Sequence, residues 1–267
     1  MKLYIKNYSS YKSDLESINI KETLKERYKL DTRRQDDFIY LALLGAQRLK
    51  EKTQINQDDE LYITSGVGNI DVLQRTDNYV NEEKQFVKPI DFINMLGNTT
   101  SYYVGTSLGL RGKNIFQISD NFTFLNSLVS IYASLNASKK EAILGSIDLV
   151  DTPYQVIKRV LGINESREVI SSANYQKLSL SSLGALACIE FDTKIYSHQE
   201  IQNLLAKSDM KPLFCARCKE FTRENESKFF ETMISYAINK ALQEKEDTLF
   251  VECFEEKYKI LTLKSLA

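Results

Sequence analysis

The sequence predicts an α/β fold, and three observations carry that prediction. Strand-like and helix-like segments alternate along the chain. Residues 105–148 read as a glycine turn, a short strand, a sharp junction at Ser119-Asp120-Asn121, a helix and a second strand. That helix carries Phe122, Phe124, Leu125, Leu128, Val129, Ile131, Tyr132, Ala133 and Leu135, too many apolar residues for one amphipathic stripe, so it is expected to be buried on most sides. At 267 residues and 43% hydrophobic content, with no solenoid repeat and no linker rich in Pro, Gly or Ser, the chain reads as one compact domain.

In order, residues 2–6 alternate Leu3 and Ile5 with polar neighbours and predict a strand. The polar stretch 7–34 predicts a connector with one short helix near 22–28. Residues 35–52 predict a helix, because Phe38, Leu41, Ala42, Leu44, Gly45, Ala46 and Leu49 recur at helical spacing and the segment ends in the basic run RLKEK. Residues 61–65 read as a strand broken by Gly66 and Gly68, 89–96 as a helix opened by Pro89, and 99–108 as another helix. After the central unit, 152–161 predicts a helix, 167–182 a loop with one short extended piece, and 183–191 (LGALACIEF) a buried strand. Helix at 198–207, extended chain at 212–219, helix at 227–243 and strands at 249–254 and 257–263 complete the reading.

Thirty-five basic and 36 acidic residues give a net charge of -1 without a block of like charge, which argues against a nucleic-acid or other polyanion partner. No apolar run reaches membrane-spanning length and the N-terminus does not resemble a signal peptide, so a cytoplasmic protein without a membrane span is expected. Cys215 and Cys218 form a CxxC inside an apparent strand, with no second pair to complete a zinc site; Cys188 and Cys253 read as core, and no metal or cofactor is expected. His198 is the single histidine and begins a polar helix, the setting of a solvated surface residue. The Tyr102-Tyr103 pair reads as packing.

A strand that turns sharply into a buried helix is where α/β enzymes often present a nucleophile, since the helix N-terminus favours developing negative charge. Here Asn121 stands at that junction. Asp120 and Asn121 can equally be read as helix caps. The run GLRGKN followed by IFQISDNFT resembles a segment of the beta-ketoacyl-acyl-carrier-protein synthases, and counting from Gly109 puts the family's cysteine on Asn121. Asn98 lies at the matching distance before Gly109; Arg33-Arg34, Asp37 and Phe38 resemble the family's arginine-rich helix start; Ser65-Gly66-Val67-Gly68-Asn69 and Leu183-Gly184-Ala185-Leu186-Ala187 resemble two of its glycine segments. The resemblance is strong over 31–192.

It implies the thiolase fold, an α-β-α-β-α layering of two similar halves that each hold a mixed five-stranded sheet. On this reading residues 1–192 form the first half and 193–267 a remnant of the second. It also implies that Asn121 occupies the degenerate nucleophile position, that Phe254 stands where a catalytic histidine would, and that Asn121, Phe122 and Asn98 border the acyl pocket. A carboxamide forms no thioester, and the family's second histidine and its glycine-rich loop have no match, so condensing activity is expected to be absent. In the family the strand before the nucleophile pairs with its mate across a dimer twofold, which makes Asn114, Ile115, Phe116, Gln117, Ile118, Ser119 and Asp120 interface candidates. Three roles follow: a chain-length-factor-like subunit that pairs with an active ketosynthase in fatty-acid, polyketide or aryl polyene synthesis; a decarboxylase of malonyl thioesters on a carrier protein; or a homodimeric module binding acyl chains or acyl carrier protein.

Overall fold

The computed structural model describes residues 1–119, 121–150, 168–214, 228–229 and 232–266. The elements are β1 (Lys2–Lys12), α1 (Ile20–Glu26), α2 (Asp37–Lys50), β2 (Glu60–Ser65), α3 (Ile70–Asp77) running into a π-helical turn (Asn78–Glu82), α4 (Pro89–Met95), α5 (Gly97–Leu108), β3 (Asn114–Ile118), α6 (Thr123–Ser138) and β4 (Ala142–Asp148). They continue with β5 (Glu168–Val169), β6 (Ser172–Ser179), β7 (Ala187–Phe191), α7 (His198–Leu205), β8 (Lys211–Phe214), β9 (Lys228–Phe229), α8 (Met233–Glu244), β10 (Thr248–Phe254) and β11 (Lys257–Ser265). The helix expected at 152–161 and the pair Cys215 and Cys218 lie outside the described residues.

Nine strands form one mixed sheet in the order β3-β2-β4-β6-β1-β7-β11-β10-β8, in which β3-β2-β4-β6-β1 are the five expected of the first half. The antiparallel pairing of β1 with β7, Leu3 opposite Ile189, fuses that half-sheet edge to edge with a second. Outward from that seam the halves repeat: β6 matches β11, β4 matches β10 and β2 matches β8, with the same antiparallel, antiparallel, parallel sequence of pairings. The segment expected as a remnant thus supplies β8, β10 and β11, and the mirror order groups β7 with it.

Three cores set the layers. α6 and α8 lie between the half-sheets, sharing a core that joins Leu128 and Ile131 to Ile238, Leu3, Ile189 and Leu261. α2 and α5 cover the outer face of the first half-sheet through Leu41, Leu44 and Val104. Ile201 of α7 packs with Val251, Cys253 and Tyr258 on the outer face of the second. The α-β-α-β-α layering is therefore present. It places α6 where the sequence put it, in the middle.

Two departures from the sequence reading share a cause. β1 extends to Lys12, past an irregularity between Ile5 and Asn7, and the stretch expected as a loop holds β6, eight buried residues between β1 and β4. Its sequence SANYQKLS reads as polar because its polar side chains are satisfied by distant partners. Gln176 donates to Ser235 Oγ (2.9 Å) and Asn239 Oδ1 (2.7 Å), while Lys177 pairs with Glu141 (2.8 Å) and Asp59 (3.3 Å). Tyr175 is fully buried against Gly145, where an added Cβ would collide with the ring, and its hydroxyl donates to the Ala42 carbonyl (2.8 Å). The strand expected from 183 begins at Ala187, because Gly184 takes φ +68° in a turn that leaves Leu183 exposed.

Candidate functional site

The site is the junction between β3 and α6. β3 pairs only with β2, in parallel, so its other edge is open among the described residues. The chain then turns through Ser119 and Asn121 into Phe122, whose backbone is left-handed (φ 49°, ψ 36°) at the helix N-cap. A bulky residue with positive φ costs of order 1–3 kcal/mol and persists only where its surroundings fix it. They do so here: Thr123 Oγ1 donates to the Ser119 carbonyl (2.8 Å), Asn126 Nδ2 to the Asn121 carbonyl (3.1 Å) and the Asn126 N–H to the Phe122 carbonyl (2.8 Å). The strained elbow residue is thus Phe122, one position beyond the expected one, with its ring buried in the central core. Among the described residues no side chain caps α6, so Asn121 does not serve as its cap; Asp120 lies outside the described residues.

Two charged residues that the sequence reading missed close over this elbow. Lys259 on β11 is buried, donates to Asn126 Oδ1 (2.9 Å) and holds its ammonium 5.2 Å from the centre of the Phe122 ring. Burial lowers its pKa below the usual lysine range, while Glu252 and Asp192 oppose that shift. Glu252, also buried, is its cross-strand neighbour on β10. The signal was a charged residue on the inward face of each strand: in LFVECF and KYKILTL the alternation places Glu252 and Lys259 in line with Phe250 and Leu261 of the central core. Phe254, at the position of a lost histidine on the earlier expectation, packs against the same core.

The remaining candidates lie elsewhere. Asn98 is exposed at the start of α5, and its carbonyl accepts from Ser101 Oγ (3.1 Å). His198 Nδ1 lies 3.1 Å from the Tyr258 hydroxyl and Nε2 2.7 Å from Gln202. Tyr258 and Lys259 are consecutive on a strand and face opposite sides, which puts the histidine in the outer layer with α7, across the sheet from the elbow. The same alternation turns Cys188 away from Ala187, Ile189 and Phe191 of the central core, and Cys253 packs with α7. Neither described cysteine reaches the junction, and among the described residues no cluster of three His, Cys, Asp or Glu forms a metal site.

The open edge has a definite polarity. The Leu61 N–H donates to the Lys113 carbonyl (2.7 Å), so alternation directs the peptide groups of Ile115 and Gln117 to β2 and those of Asn114, Phe116 and Ile118 outward. Exposed apolar side chains also occur in the chain before it: Leu73, Val80, Phe86, Phe92, Ile93 and Leu96 lie on α3, α4 and their connections, and Ile118 is 49% exposed on β3 itself. An open strand edge is an interface or an aggregation hazard. No helix among the described residues is long and apolar enough to cross a membrane.

No protein-family model matches the sequence, and no curated protein matches it. Solved structures do. The ishigamide ketosynthase/chain length factor superposes with a TM-score of 0.74 at 10% identity over 100% of both chains. A ketosynthase in complex with its chain length factor from Xenorhabdus doucetiae gives 0.61 at 11% identity, covering 98% of this chain and 99% of that one. A type II polyketide-synthase acyl-carrier protein in complex with its ketosynthase gives 0.67 at 8% identity, covering 99% of both. Identities this low establish the fold alone: the chain has the layered thiolase fold common to ketosynthases and chain length factors.

Proposed function

We propose that this chain is a ketosynthase-like subunit that does not itself condense acyl chains, pairs through β3 with a ketosynthase, and shapes the partner's acyl tunnel as a chain length factor does. The observation that carries this reading is the elbow of α6: a strained turn of the kind that presents a nucleophile holds Asn121 and the buried Phe122 ring, with Lys259 against that ring. An amide has no deprotonated form near neutral pH to attack a thioester. The structures most like it include ketosynthases paired with chain length factors, and one includes an acyl carrier protein, which supports a ketosynthase partner and a carrier protein delivered to that partner.

The test has two parts. Incubated with an acyl-carrier thioester, the protein should show no covalent acyl mass; acylation of Cys188, Cys253 or any residue beside Asn121 would overturn the loss of condensation. Co-expressed with any ketosynthase encoded beside it, the chain should elute as a dimer burying more than roughly 2,000 Å² in total. Ile118→Pro should convert that dimer to separate chains, because Ile118 presents its N–H to the open edge. Gln117→Pro should instead damage the native chain, since its N–H faces β2. A stable native monomer in the partner's presence, by light scattering, would remove the reading's physical basis.

A further inference from the structure

A second cleft, of about 540 Å³, opens on the outer layer between the connector from α1 to α2 and the exposed side of α5. Arg33, Arg34 and Gln35 line one wall and Tyr102, Tyr103 and Thr106 the other. Its volume is that of a small-molecule site.

The arginine wall is held in place by its own backbone. Arg34 adopts φ 61° and its carbonyl accepts from Asn94 Nδ2 (3.3 Å). Asp36 caps α2 and accepts from Asn69 Nδ2 (2.7 Å), and that same amide donates to the Asn94 carbonyl (3.0 Å). Arg33 is committed to Asp31, reaching it through both Nε (2.9 Å) and Nη2 (2.7 Å) and holding that carboxyl down at about 2. Arg34 makes no ion pair and no side-chain hydrogen bond among the described residues. On the far side Lys50 Nζ donates to the carbonyl of Ser107, which also lines the cleft. Two guanidiniums and one carboxylate line this opening, and Arg34 acts on Asp31 through its charge alone. An anion is the complement of a guanidinium that makes no hydrogen bond among the described residues, and its planar fork suits phosphate geometry.

The opposite wall is aromatic. Tyr102 is 62% exposed, and its ring meets Tyr103 edge-on at 5.6 Å. An exposed ring on the wall facing Arg34 offers a stacking surface for a planar group. Gln35 ties this wall to the Asp31 turn, its amide N–H donating to the Asp31 carbonyl (3.0 Å).

We propose that this cleft binds an organic phosphate with an aromatic ring, of nucleoside-monophosphate size, its phosphate on Arg34 and its ring on Tyr102.

Titration calorimetry on the full chain with adenosine monophosphate, inorganic phosphate and adenosine tests it. The nucleotide should bind at least about tenfold more tightly than either fragment, since both walls then contribute. Arg34→Gln should weaken the nucleotide by about tenfold and leave adenosine unchanged, whereas Tyr102→Ala should weaken the nucleotide and adenosine and leave phosphate unchanged. Both positions are exposed, and unchanged circular dichroism of each variant would exclude misfolding as the cause. Absence of heat with the nucleotide at millimolar concentration, equal affinity for phosphate and nucleotide, or native affinity in Arg34→Gln would each overturn the proposal.

Discussion

Leu128→Asp should leave little folded protein at ordinary temperature. Leu128 is fully buried on α6 between the two half-sheets, and the described residues of its core are apolar. A carboxylate there either ionises in an apolar medium or stays protonated at the expense of its solvation, a cost on the order of 3–5 kcal/mol. Domains of this size hold roughly 5–15 kcal/mol in total, so the variant sits near or past the unfolding threshold. Leu128→Ala, which leaves only a cavity, should cost about 2–5 kcal/mol and still fold. Urea unfolding followed by circular dichroism separates them. An unchanged midpoint for the aspartate variant would mean that α6 is not the centre of the molecule.

Asp148→Ala comes second in expected size. Asp148 ends β4 fully buried and accepts four hydrogen bonds: from Ser65 Oγ (3.2 Å), the Gly66 N–H (2.9 Å), and the Thr232 N–H and hydroxyl (both 2.7 Å). One carboxylate thus fastens the end of β2 to the start of α8, across the two halves. Its removal orphans two backbone donors and two hydroxyls, a loss of about 3–5 kcal/mol by analogy with a broken buried charge pair. The pH dependence has a definite sign. Burial raises the carboxyl above its usual 3.8, with the four donors opposing the shift, so between the unfolded and folded values the native state binds more protons. The contribution of Asp148 to stability is therefore largest below 3.8 and declines as pH rises toward the folded value. Asp148→Asn lacks that titration, and its cost relative to the native chain should shrink as pH rises through the window. A cost that is constant across the acid range would contradict this assignment.

What the sequence determined by itself is the part of the fold written in local periodicity. α2 was legible because its apolar residues recur at helical spacing, α6 because it is apolar nearly all round, and β2, β10 and β11 because short apolar runs meet turn residues. The β3-to-α6 junction was legible for the same reason, since residues adjacent in sequence define it, whereas the edge position of β3 was expected only from a family resemblance and is given by the sheet order. Only the tertiary structure decided the rest. β6 was hidden because Gln176 and Lys177 are polar residues whose burial is stabilised by Asn239, Ser235, Asp59 and Glu141, and no local window contains those partners. Lys259 reached the elbow through Asn126, 133 positions away in the chain, while the strain at Phe122 is held by bonds among Ser119, Asn121, Thr123 and Asn126 that no apolar periodicity announces. Apolar patterns declare their own burial; a buried polar group is stable only when a partner arrives, and the partner is chosen by the fold.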